Sequence, residues 1–111
     1  NMDSKRFNEV LEGVMDKCRH TLVAKAGEYA TEDRLHTFKV AAEIQNCTPI
    51  GALGGMMAKH TVSVYDLIRK HDLGFETSKE MWSEKIGDSI NYLLLLSALV
   101  QEEMDNENNK S

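Results

Sequence analysis

The sequence predicts an all-α protein: a four-helix bundle-like single domain over residues 1–104, with a long central C-terminal helix and a disordered acidic and polar tail over 105–111. Three observations lead there. Proline occurs once in 111 residues, and β-branched residues are scattered, so no alternating strand pattern forms. Apolar residues instead recur at three- and four-residue steps. Capping residues stand where those stripes begin and end. A chain that is 41% hydrophobic and 28% charged has the make-up of one globular domain able to bury a core without disulfides.

The first helix is expected from about Ser4 to Ala26, capped by Asp3 or Ser4. Phe7, Val10, Leu11, Val14, Met15, Cys18 and Leu22 make its apolar stripe. Gly27 ends that stripe. The second helix is expected over Glu32–Gln45, capped by Thr31 or Asp33, with Leu35, Phe38, Ala41 and Ala42 on its apolar side. Thr48 followed by Pro49 is a strong start for the third helix, expected over Pro49 to about Lys70. Gly51, Gly54 and Gly55 inside it point to the close approach of another helix or of a ligand, or to a frayed first turn. Gly74 is read as a left-handed cap. The fourth helix then starts at Thr77, which has capping-box spacing with Glu80, and runs to about Gln101.

Composition narrows the function classes. A net charge of −5, with Lys and Arg dispersed, argues against a nucleic-acid backbone as partner but leaves a metal-neutralised nucleotide open. Cys18 and Cys47, with no signal-like stretch ahead of them, are expected as free thiols in a reducing cytoplasm. The opening Asn1-Met2 is read as one leftover residue before a native Met. The apolar run Tyr92–Val100 is about half of the ~20 residues a membrane span needs.

The fourth helix carries the richest pattern. Trp82, Ile86, Ile90, Leu93, Leu96 and Val100 share one face with Ser97, while Met81, Asp88, Tyr92, Leu95 and Leu99 lie roughly opposite. A helix apolar on both sides is expected at the centre of a bundle or at an interface between copies. Glu84 and Asp88 stand one turn apart with Asn91 on the same side. Two such carboxylates can hold a divalent cation through oxygen; they can equally be a solvated acidic face balanced by Lys85. In the third helix, His60 lies on the stripe Leu53, Met57, Val64, Leu67. It is either a hydrogen-bonded core residue or the partner of a fourth-helix carboxylate. Lys59 and Asp66 project from another side. Around the first break, Lys25, Glu28, Tyr29 and Arg34 could meet a phosphate and a base, or Tyr29 and Phe38 could tie the loop to the core. Walker-type loops, HExxH, paired CxxC and GxSxG are all absent.

The stretch Trp82-Ser-Glu-Lys-Ile-Gly-Asp88-Ser-Ile-Asn-Tyr-Leu-Leu-Leu-Leu resembles the second acidic helix of MazG-like all-α nucleotide pyrophosphohydrolases. With Lys25-Ala-Gly-Glu-Tyr-Ala and Lys59-His-Thr-Val-Ser it also looks like small helical proteins of bacteriophages. The resemblance is specific over about fifteen residues and loose elsewhere. It implies Mg²⁺ held by Glu84 and Asp88 as metal-binding and catalytic residues, and pyrophosphate released from a nucleoside triphosphate. Lys25, Glu28, Tyr29, Arg34, Lys59, His60, Asn91 and Tyr92 are then the substrate-binding candidates. Two departures stand out. The third helix reads Met57-Ala-Lys-His-Thr-Val-Ser63 where the family carries an ExxE pair, and Lys85 takes the inner Glu position. A non-catalytic nucleotide or signal-binding protein, and an oligomeric structural bundle joined through the fourth helix, are the competing expectations. In the last of these, His60, Asp88 and Asn91 form a buried polar network.

Overall fold

The computed structural model describes residues 1–24 and 32–110. The protein is all-α: four helices packed against one another, the last of them long and central. Helix α1 spans Ser4–Ala24, α2 His36–Gln45, α3 Pro49–Asp72 and α4 Lys79–Asn108. α4 packs against α1 on one flank and α3 on the other, while α2 lies along α3. α2 also reaches α4, through Leu99 in the core and through the Lys39–Glu102 ion pair. None of the helices among the described residues is long and apolar enough to cross a membrane.

Local chemistry sets the boundaries. Asp3 Oδ1 accepts from the Arg6 amide at 2.8 Å and opens α1. α2 begins at His36, four residues after the expected start. Asp33 first makes a turn of its own, accepting from the Leu35 amide through its side chain (2.9 Å) and from the His36 amide through its carbonyl (3.2 Å). Asn46 closes α2 in the left-handed region, φ 54°. Thr48 Oγ1 caps α3 through the Gly51 amide at 3.0 Å, as its sequence predicts. A Cβ added at Gly54 or Gly55 would meet nothing within 4 Å, so neither glycine marks the close approach of another helix. Gly74 takes φ 86° after α3, the conformation glycine reaches without strain.

The start of α4 differs from expectation by one residue. Thr77 Oγ1 accepts from the Trp82 indole N–H at 2.6 Å. Capping falls instead to Ser78, whose hydroxyl accepts from the Met81 amide at 3.1 Å. The Thr77–Glu80 capping box gives way to a Thr77–Trp82 clasp. At the other end α4 continues to Asn108, seven residues past Gln101, through most of the segment expected as a tail. Once a helix is nucleated, each further residue adds a bond at small cost, and Gln101 supports the extension by donating to Asp105 at 2.9 Å.

The core lies where α2, α3 and α4 meet. Leu35, Phe38, Leu53 and Leu99 are buried there, with Ile50, Met56, Met57, Tyr92, Leu95 and Leu96 packed around them. A strap crosses this end: Lys39 of α2 binds Asp33 at 2.6 Å and Glu102 of α4 at 2.8 Å. The hydrogen bond from Lys39, then that from the Leu35 amide, holds the Asp33 carboxyl below its ordinary value. The bonds to Asp33 and Glu102 raise Lys39. The lowered Asp33 contributes stability that is complete above its unfolded pKa and lost as pH falls through the folded one. The raised Lys39 contributes stability that is complete below its unfolded pKa and lost as pH rises through the folded one. Lys39→Met is therefore expected to lower the melting temperature at pH 7, with the gap from wild type closing below about pH 4. A gap that stays constant from pH 7 to pH 3 would show that the strap is not electrostatic.

α4 is central without being enclosed. Gly87 and Leu99 are its buried residues, whereas Ile86, Leu93, Leu94, Val100 and Met104 are exposed. The expected burial on both sides is met on the flanks toward α1 and α3 only. With α1 and α3 on opposite flanks of α4 and out of contact with each other, the three form a slab with two open faces.

Candidate functional site

One face of the slab carries polar chemistry. α1 is seated on α4 through Cys18, almost fully buried, whose thiol donates to the Gly87 carbonyl at 4.0 Å. Lys17 Nζ donates to Ser83 Oγ at 2.6 Å beside that contact. These two anchors leave a cavity of about 200 Å³ lined by Lys17, Cys18 and Thr21 of α1 and by Ser83, Glu84, Gly87, Asp88 and Asn91 of α4. Glu84, Asp88 and Asn91 share one side of α4 because they recur at four and three residues.

α3 closes on the same residues from the far flank. His60 Nδ1 stands 3.6 Å from Asp88 Oδ2, with side chains 19% and 38% exposed. The His60 ring also stacks on Tyr92, centroids 4.7 Å apart and planes tilted by 30°. His60 therefore stands beside an α4 carboxylate, the second of the two expectations for it. Tyr92 reaches this pair from the core cluster, so the site rests on the best-packed part of the molecule. Asn91 Oδ1 is buried and has no hydrogen-bond partner. A buried carbonyl left unpaired costs about 1–3 kcal/mol, so Asn91 holds an acceptor ready for an N–H or O–H donor.

The remaining candidates divide. Arg34 sits at the C-terminal end of α1 and donates to the Leu22 carbonyl at 2.7 Å, so its guanidinium braces the chain entering α2. Lys59 is exposed on α3, about 100° around the helix from His60. Trp82 lines the groove on the opposite face of the slab, clasped by Thr77, and is not a neighbour of Asp88. Lys25, Glu28 and Tyr29 lie outside the described residues. Lys17, Thr21 and Ser83 also line the cavity and are not among the sequence candidates. Their signal is weak: only the adjacency of Lys17 and Thr21 to Cys18 on the stripe could have pointed to them.

A divalent ion can be tested against this donor set. Among the described residues, no three His, Cys, Asp or Glu side chains converge as a metal cage. Mg²⁺ does not need one. It is commonly held by one or two carboxylates, with water and substrate phosphates completing the octahedron. Glu84 and Asp88 fit that habit and would supply the two carboxylates, and the ion would neutralise phosphate charge. A volume of about 200 Å³ accepts one end of a nucleotide and not the whole, since sites for drug-sized ligands run from about 300 Å³ upward. A larger cavity of about 400 Å³ lies next along the slab, lined by residues that include Ser63, Asp66, Lys70 and Lys85. It presents the Ser63 hydroxyl, the Asp66 carboxylate and the Lys70 cation from α3 and the Lys85 cation from α4, without His60 or Asp88.

No family model matches the chain, and no curated protein or solved structure is similar to it at a significant level.

Proposed function

We propose that this chain is a MazG-like helical protein that binds a nucleotide over the polar stretch of α4. The observation that carries the reading is the convergence, at one point on α4, of Asp88 with His60 3.6 Å away and Asn91 with an unpartnered buried acceptor. Acidic oxygens from Glu84 and Asp88 hold Mg²⁺, which carries the phosphates. Lys17 adds positive charge from α1, and Asn91 receives a donor from the sugar or base. The protein acts as an assembly of copies joined through α4, in the cytoplasm of a bacterium or of a phage-infected host.

Two outcomes of binding are distinguishable. In the first, water attacks a bound nucleoside triphosphate and pyrophosphate is released. The Glu84–Asp88 pair and the resemblance of Trp82–Leu96 to the pyrophosphohydrolases support it. In the second, the nucleotide is held without turnover. The stretch Met57–Ser63 carries no Glu where the family has an ExxE pair, and Lys85 replaces an inner Glu. Both changes remove carboxylates and weaken the activation of water. The second reading is favoured on that ground. The test is a panel of nucleotides with and without Mg²⁺, read by melting temperature and by released pyrophosphate. Stabilisation without product supports binding alone; stabilisation with Mg²⁺-dependent pyrophosphate supports the enzyme. An unchanged melting temperature across the panel would remove both.

Asn91 offers a sharper check. Asn91→Leu removes the unpaired acceptor while keeping the side chain near its original size. The variant is expected to melt at or above wild type without ligand, and to lose the nucleotide-induced rise. A variant that is destabilised yet still shifted by nucleotide would place the Asn91 acceptor outside the binding site.

A further inference from the structure

We infer that the slab face opposite Asp88 is covered by a second copy of this chain, packed about Leu93. This rests on the proposal that the protein assembles through α4, and it names the face and the residues.

That face is apolar along its α3–α4 half and mixed along its α1–α4 half. Ile86 lies in two adjoining grooves. One runs between α1 and α4, carries Val10, Val14 and Trp82, and is edged by Arg6, Glu9, Lys17 and Lys79. The other runs between α3 and α4, carries Tyr65, Ile68, Ile90 and Leu93, and has no charged residue in its lining. Tyr65 is 62% exposed and Leu93 55%. Ser89 Oγ is buried in the second groove without a hydrogen-bond partner. The α4 stripe continues through Val100 to Met104, both exposed, which places Leu93 at its midpoint.

Area decides what covers it. A monomeric protein of 12.5 kDa exposes about 6,200 Å². This chain exposes 8358 Å², an excess of about 2,200 Å² over that scaling. Its radius of gyration is 17.0 Å, against about 13 Å for a compact domain of this length. A standard interface removes about 800 Å² from each partner and an obligate one more than about 1,000 Å². The excess has the size of one side of an obligate interface.

Charge and symmetry select a second copy over an unrelated protein. The α3–α4 groove lacks charges that would specify a foreign partner, and a two-fold axis makes one patch its own complement. With the axis near Leu93, two antiparallel α4 helices lay stripe on stripe, and the α3 residues Tyr65 and Ile68 flank the crossing. The Asp88 face stays open on the outside of the pair.

The test uses the full chain at about 50 µM in sedimentation velocity and light scattering. The expected result is a species of at least twice 12.5 kDa. Leu93→Glu is expected to weaken association by at least about a hundredfold, with helical circular dichroism retained. A second experiment does not depend on that variant folding. In a Cys47→Ser background, Leu93→Cys is expected to give a disulfide-linked dimer on mild oxidation. Ala98→Cys, about 140° around α4, is expected to give none. A wild-type monomer at 50 µM would overturn both the assembly reading and this face. An assembly that Leu93→Glu leaves intact and Leu93→Cys does not crosslink would overturn this face alone.

Discussion

Asp88→Asn is expected to weaken nucleotide binding more than tenfold while leaving the melting temperature of the free protein nearly unchanged. The variant keeps the shape of the side chain beside His60 and loses its negative charge. A tenfold loss corresponds to about 1.4 kcal/mol, a modest demand on a residue proposed to ligate the cation that carries the phosphates. The free protein has little to lose, because the Asp88 side chain is 38% exposed and faces His60 at 3.6 Å, longer than a hydrogen bond. Titration of wild type and variant with the same Mg²⁺-nucleotide decides it. A loss below tenfold would remove Asp88 from the proposed role. Lys59→Ala is the useful comparison: Lys59 is exposed and turned about 100° from His60, so its loss is expected to matter less.

Leu53→Ala is expected to give the largest loss of stability, about 3 kcal/mol, seen as a fall in melting temperature on the order of 15 °C. Leu53 is fully buried at the meeting of α2, α3 and α4, packed with Leu35, Phe38 and Leu99. Truncation leaves a cavity that three separate helices must collapse to fill. Because Tyr92 belongs to the same cluster and stacks on His60, the loosened core is also expected to weaken ligand binding. Leu53→Met, close in volume, is expected to cost less than about 1.5 kcal/mol. If Leu53→Ala melts within a few degrees of wild type, the core lies elsewhere.

The helices were legible in the sequence because their boundaries are local. Thr48-Pro49 and Gly74 each act through residues within a turn of one another and hold in the structure, and the α1 stripe gives a helix, although Phe7, Val10 and Leu11 on it stay exposed. The misses came from longer reach. Thr77 has the right spacing to cap α4, but the indole of Trp82 claims its hydroxyl. The glycines of α3 suggested a close neighbour, and helix packing put none there. The segment after Gln101 has a disordered composition, yet it continues a helix already anchored by Lys39 and Glu102.

The site was legible in half. Glu84, Asp88 and Asn91 announce themselves by helical spacing on one element. The approach of His60 could be named as an option because its place on the α3 stripe turns it inward. Lys17, Thr21 and Ser83 could not, because the seating of α1 on α4 through Cys18 and Gly87 leaves no periodic trace. The two-faced character of the slab was hidden for a similar reason. The sequence showed that α4 is apolar on more than one side, but not which side α1 and α3 would leave bare.

The central claim is that the polar stretch of α4 binds a nucleotide. Isothermal titration of the 111-residue chain with nucleoside triphosphates in the presence of Mg²⁺ tests it most directly. Saturable binding is predicted for at least one nucleotide, with a dissociation constant in the range of about 1 µM to 1 mM, and with the heat abolished by Asp88→Asn. Titrations that give no binding for any nucleotide at millimolar concentration, or binding that Asp88→Asn leaves untouched, would contradict it.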